Sequence, residues 1–130
     1  MGTKEFGVRK TGDHSGTRVL VVEDEYYIAD DVRRLLDDAG AQVIGPYADF
    51  KQAEAAIGEN SFDCAILDLN LQGQSAAPIA DLLIKQGKSF AIATGYGSSA
   101  VPERLQQVPR IEKPFDPPAL LQLVAQICCA

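Results

Sequence analysis

From Thr17 onward, short unbroken apolar runs alternate with longer segments in which apolar residues recur every three or four positions. RVLVV (18–22) is a continuous β-branched run, the pattern of a strand covered on both faces. AQVIGPY (41–47), CAILDL (64–69), SFAIATG (89–95) and a run inside VPRIEKPF (108–115) predict four more strands. The second is expected to stop at Gly45-Pro46. Between the first two, EYYIADDVRRLLDDAG spaces Ile28, Val32, Leu35, Leu36 and Ala39 for one helical face, with Gly40 as the stop. Asp49 is placed to cap a second helix through about Ile57, with Gly58 behind it. Ser75 opens a third, with Ile79, Leu82 and Leu83 facing inward. YGSSAVPERLQQ is rich in glycine and serine and contains Pro102, so any helix there is short or mobile. Pro117-Pro118 open a last helix carrying Leu120, Leu123, Val124 and Ile127.

This strict alternation predicts a doubly wound α/β fold, a five-stranded parallel sheet with helices on both faces. Residues 1–16 show no periodicity and have glycine at 2, 7, 12 and 16, which reads as a flexible leader before a single domain at 17–130. His14 lies in that leader, where nothing would hold an imidazole for catalysis or metal binding.

Composition changes the picture little. The chain has 130 residues, 46% hydrophobic and 23% charged, which suits one soluble globular domain. No apolar run reaches the roughly 18 residues of a membrane span, and no signal-peptide core is present, so a cytoplasmic protein without membrane association is expected. Three cysteines fit a reducing compartment: Cys64 reads as core packing, and the adjacent Cys128 and Cys129 have no metal-ligand spacing. Charge is more informative. The net charge is -6, and residues 19–130 carry 8 basic against 16 acidic side chains. Such a domain is repelled by nucleic-acid phosphates and suits cations and basic partner surfaces.

Candidate chemistry lies at the strand ends, because doubly wound sheets bind ligands beyond the carboxyl edge. The first strand ends in Glu23-Asp24, the third in Asp68, the fourth in Thr94 and the fifth in Lys113-Pro114. Acidic residues at strand ends often only cap the next helix. Three carboxylates arriving with a lysine and a hydroxyl at successive ends are a stronger pattern. They repel one another unless positive charge offsets them. Lys113 supplies one charge, and all-oxygen ligands favour Mg²⁺ as the other. A carboxylate held this way can attack a phosphoryl group to give an acyl phosphate. The cation and lysine would neutralise oxygens, and Thr94 would donate a hydroxyl. Gly95 beside it permits close approach of an incoming group.

VLVVEDE (19–25), AILDLNLQG (65–73), ATGYG (93–97) and EKPF (112–115), in this order, resemble the receiver domain of two-component response regulators. That resemblance implies the flavodoxin-like receiver fold, with strand order 2-1-3-4-5. It implies Asp68 as phosphoacceptor, fed by a sensor histidine kinase. It also implies Mg²⁺ bound by Asp24, Asp68 and the Asn70 carbonyl, with Glu23 acting through water. Thr94 and Lys113 would contact the phosphoryl oxygens, and the Lys113-Pro114 bond would be cis. Receivers usually carry an aromatic three residues before the lysine, where this chain has Arg110. With Phe90 and Ala91 upstream, ATGYG resembles the FAT GUY subgroup, which lacks that aromatic and suggests a kinase of the HWE type. Tyr96 either replaces the missing ring or is a surface aromatic near the pocket mouth.

The implied function is a stand-alone switch that signals through protein contacts to an unknown downstream protein, modifying only itself rather than acting as an enzyme. Docking would involve Tyr26, Tyr27 and Ala29, and also the fourth-helix and fifth-strand surface with Arg110. A phosphate sink or relay intermediate is the nearest alternative, followed by a degenerate receiver that binds partners without phosphorylation. An aspartate-nucleophile phosphatase of the haloacid dehalogenase type wants an aspartate two residues after the nucleophile, where this chain has Asn70.

Overall fold

In β1 (Arg18–Val22) four consecutive side chains are wholly buried, and they alternate between two cores. Leu20 and Val22 point to one, Val19 and Val21 to the other. The same alternation holds in β3 (Cys64–Asp68) and β6 (Ser89–Thr94): Ala65, Leu67, Phe90 and Ile92 share the first core, Cys64, Ile66, Ala91 and Ala93 the second. A strand with both faces covered has no reason to alternate apolar with polar, and so its sequence reads as an unbroken apolar run. The computed structural model describes residues 16–95 and 101–128. Residues 1–15 of the leader and Tyr96 lie outside them.

The sheet is parallel throughout, in the order β2-β1-β3-β6-β7, with β2 at Gln42–Tyr47 and β7 at Arg110–Glu112. This is the predicted order of the five main strands. Helices α2 (Phe50–Glu59) and α3 (Ala77–Lys85) cover the first face, placing Ala53, Ile57, Ile79 and Leu83 in its core. Helices α1 (Tyr26–Asp38) and α4 (Pro117–Cys128) cover the second with Val32, Leu36, Leu120, Val124 and Ile127. None of these helices is long and apolar enough to cross a membrane.

Local expectations fare unevenly. Asp49 caps α2 as predicted, its Oδ1 accepting the Gln52 N–H at 2.8 Å. That helix passes through Gly58 and ends on Asn60, which adopts φ 55°, because asparagine tolerates the left-handed region better than most residues. The third helix starts at Ala77 rather than Ser75, whose hydroxyl instead accepts the Ala77 N–H at 3.2 Å. Leu82 is only partly buried, and the neighbouring Ala80 lies in the core. The YGSSAVPERLQQ segment yields, in its described part, one 3₁₀ turn at Glu103–Leu105. An unpredicted two-stranded hairpin, β4 (Asn70–Leu71) and β5 (Gln74–Ser75), follows Asp68. Its turn residues Gln72 and Gly73 both have positive φ, the geometry that matches hairpin twist.

The second strand does not stop at Gly45-Pro46. It runs on to Tyr47 through a cis Gly45-Pro46 bond and a register shift that pairs Val22 with Tyr47. An edge strand tolerates proline because one side of its ladder is unpaired. Gly45 has φ +101°, and a Cβ there would lie 2.8 Å from Tyr47 N and 2.9 Å from Val21 O. Both are backbone atoms that cannot swing away. Gly45→Ala is therefore expected to lower stability by about 2–3 kcal/mol, measured by urea denaturation. A loss below about 0.5 kcal/mol would show that the shifted strand relaxes at little cost.

Cys64 is a buried core residue, as expected. What the linear sequence does not show is its neighbour: Cys128, at the end of α4, brings its sulfur against that of Cys64, with the Cα atoms 5.4 Å apart.

Candidate functional site

Parallel strands end on one edge, so β1, β3, β6 and β7 deliver their last residues to the same place. Glu23 and Asp24 follow β1, Asp68 and Thr94 close β3 and β6, and Lys113 follows β7. Glu23, Asp68 and Thr94 are buried. One carboxylate oxygen from each of Glu23, Asp24 and Asp68 lies within 4.8 Å of the other two. The Lys113 ammonium sits among them, 2.8 Å from Glu23 Oε1 and 3.0 Å from Asp68 Oδ2. Glu25 Oε1 lies 3.6 Å from the same nitrogen.

Backbone amides hold the carboxylates in place. The Asn70 N–H donates to Asp68 Oδ1 at 3.0 Å, and the Glu25 N–H to Glu23 Oε2 at 3.1 Å. The Gln72 N–H, from the turn of the small hairpin, donates to Asp24 Oδ2 at 2.8 Å. The hairpin turn is in turn closed by Asn70, whose side-chain oxygen accepts the Gly73 N–H at 3.1 Å. Lys113 is placed by its own N–H, which donates to the Thr94 carbonyl at 2.8 Å and ties the end of β7 to β6. The strand register pairs Asp68 with Ala93, so Thr94 stands one residue beyond the aspartate on the adjoining strand.

Electrostatics here are opposed. Burial pushes the Glu23 carboxyl from its ordinary 4.5 up to about 7, and the Asp68 charge adds to that, while the Lys113 hydrogen bond pulls it down. Burial also works against the Lys113 ammonium, but its hydrogen bonds and charge attraction to Glu23 and Asp68 win, leaving its pKa raised. Two buried carboxylates thus share one ammonium, and the positive charge present does not balance the acids grouped there. The donor set is all oxygen and partly open, since Asp24 is not fully buried. Both properties fit Mg²⁺, which takes oxygen ligands and retains several waters.

Of the remaining predicted residues, Asn70 is exposed and adjoins the cluster through Asp68. Lys113-Pro114 is cis. Pro114 lines a groove between α1 and α4 with Ile28, Leu35, Phe115 and Pro117. Arg110 starts β7, is exposed and pairs with Ile92 of β6. Tyr96 falls outside the described residues. Two contributors are not singled out by the sequence: Glu25, which stands in VLVVEDE and opens the first helical run without an assigned role, and Gln72, whose amide orients Asp24. The Gln72-Gly73 pair after a strand was the available signal for that turn.

A doubly wound parallel sheet with three acids and a lysine on its carboxyl edge defines the class: an acidic-pocket receiver of the CheY-like type. The model of the response regulator receiver domain matches residues 19–125, and the chain belongs to that family. Receiver domains are signalling modules of two-component systems. No curated relative matches the chain. Among solved structures, it is similar to the BeF3-activated conformation of SdrG from Pseudomonas melonis Fr1, with 31% identity over 87% of this chain and 98% of that one, at a TM-score of 0.71. The solution structure of SdrG from Sphingomonas melonis Fr1 is 30% identical over 85% and 92%, at 0.64. A CheY-like receiver domain from Methylobacillus flagellatus, 24% identical over 85% and 98% at 0.72, shares the fold.

Proposed function

We propose that this receiver, spanning residues 17–130, accepts a phosphoryl group on Asp68 from a sensor histidine kinase in a Mg²⁺-dependent reaction, and signals through protein contacts. The observation that carries this reading is the buried Asp68 carboxylate at the end of β3, 3.0 Å from the Lys113 ammonium and grouped with Glu23 and Asp24.

In the reaction, an Asp68 oxygen attacks phosphorus in line with the bond to the kinase imidazole nitrogen. That P–N bond breaks, its electron pair stays on the imidazole, and an acyl phosphate forms. Lys113 turns from its carboxylate partners to a phosphoryl oxygen, and the Thr94 hydroxyl donates to another. Asp24 and Asp68, the Asn70 carbonyl and, through water, Glu23 would hold Mg²⁺. The metal supplies charge neutralisation for the phosphoryl oxygens. Asn70 in place of an acidic residue leaves no carboxyl there to protonate an ester leaving group, which disfavours a phosphatase that turns over substrate.

The kinase would approach along α1, whose Tyr26 and Tyr27 are 76% and 82% exposed beside the pocket. The resemblance of ATGYG to the FAT GUY subgroup supports a kinase of the HWE type. Likeness to a BeF3-activated receiver supports an acyl-phosphate state, since beryllofluoride on a carboxylate mimics a phosphoryl group. Incubation with acetyl phosphate and Mg²⁺, followed by intact mass measurement, tests the proposal. The expected result is one added phosphoryl group that requires Mg²⁺. An unmodified mass would instead indicate a receiver that binds partners without phosphorylation, and steady release of phosphate from unrelated esters would indicate an enzyme.

A further inference from the structure

We propose that Cys64 and Cys128 are a peroxide-oxidisable dithiol that closes into a disulfide tying the last helix to the central strand. Cys64 is the first residue of β3, fully buried in the core beneath α4. Cys128 is the last residue of that helix, half-buried and packed against the same core. Leu120, Val124 and Ile127 seat the helix on the sheet and so carry Cys128 to Cys64. The two sulfurs are in contact. The Cα separation of 5.4 Å lies in the middle of the range that disulfides span without backbone movement. The pair sits at the end of β3 opposite Asp68, which keeps this chemistry apart from the acidic pocket and independent of the phosphoryl reading.

The two thiols are unequal. Cys64 is closed off from solvent, so an oxidant meets Cys128 first. The Cys128 sulfur takes one oxygen from hydrogen peroxide as the O–O bond breaks, giving a sulfenic acid and one water. The Cys64 sulfur then attacks the Cys128 sulfur. The S–S bond forms, the S–O bond breaks, and a second water leaves with the remaining thiol proton. Two thiols lose two electrons and peroxide gains them. The crosslink bridges residues 64 apart in sequence, and closing so long a loop restricts the unfolded chain strongly.

The test uses the full chain, reduced, desalted and then treated with hydrogen peroxide. After denaturation and alkylation, the reduced protein takes three alkyl groups, one for each cysteine. The oxidised protein is expected to take one, to have lost two hydrogens, and to yield a linked peptide pair containing Cys64 and Cys128. Its thermal midpoint is expected to rise by about 10 °C and to return on treatment with dithiothreitol. Cys129→Ser should retain the crosslink and the shift, and Cys128→Ser should lose both. Cys128→Ser alters a half-buried terminal position and keeps the reduced midpoint, so its loss of the shift reports the crosslink rather than misfolding. A link made through Cys129, a link between two chains, or oxygen added to Cys128 without loss of the second alkylation site would each overturn the proposal.

Discussion

Asp68→Asn is expected to show no mass increment with acetyl phosphate and Mg²⁺ under conditions that fully modify the parent protein. An amide nitrogen is not a nucleophile toward phosphorus at neutral pH, and the amide cannot carry the negative charge that a cation would bind. The fold should survive the change. Asn keeps one oxygen for the Asn70 N–H but loses the second oxygen that faces Lys113, and Lys113 keeps its 2.8 Å partner Glu23. Removing the Asp68 charge also removes one cause of the raised Glu23 pKa. The melting midpoint should therefore stay level or rise, by up to about 1 kcal/mol of stability. Loss of phosphoryl uptake with an intact midpoint separates chemistry from folding. A persistent increment in the variant would place the acceptor on another residue and defeat the assignment of Asp68.

That this aspartate stood out in the sequence has a physical cause. A central parallel strand is apolar on both faces, so a carboxylate at its end breaks a pattern that packing otherwise enforces, as in AILD. Parallel strands also terminate on one edge, so Glu23, Asp24, Asp68, Thr94 and Lys113 meet wherever such strands are correctly identified. Features set by backbone dihedrals or by distant pairing were much harder to read. Gly45-Pro46 looks like a strand terminator, yet at a sheet edge it is a bulge that the strand passes through. The hairpin after Asp68 has strands of two residues each, too short for any periodicity. Glu25 reaches Lys113 only because α1 begins over the pocket. The approach of Cys128 to Cys64 depends on how α4 docks across the sheet, which local sequence does not encode.

Lys113→Met is expected to cost about 3–5 kcal/mol of stability at pH 8, and about 1–2 kcal/mol less at pH 5. The substitution removes the cation from between Glu23 and Asp68 and leaves two buried like charges facing each other. The sign of the pH dependence follows from Glu23. Unfolded, this carboxyl titrates near its ordinary 4.5, and folded near 7. Between those values the folded protein holds a proton that the unfolded chain has released, so stability falls as pH rises through the window. Lys113 does most to lower the folded value, beside the Glu25 backbone N–H. Without it the Glu23 pKa climbs further, and the window extends above neutrality. At pH 5 the carboxyl is protonated in the folded variant, and little repulsion remains. Mg²⁺ at pH 8 should recover part of the loss in the variant, because a cation that binds the folded acids and not the unfolded chain stabilises by mass action. Urea denaturation at pH 5 and pH 8, with and without Mg²⁺, measures all four states. A penalty of equal size at both pH values would mean that Lys113 acts by packing alone, and indifference to Mg²⁺ would mean that Glu23, Asp24 and Asp68 do not form a cation site.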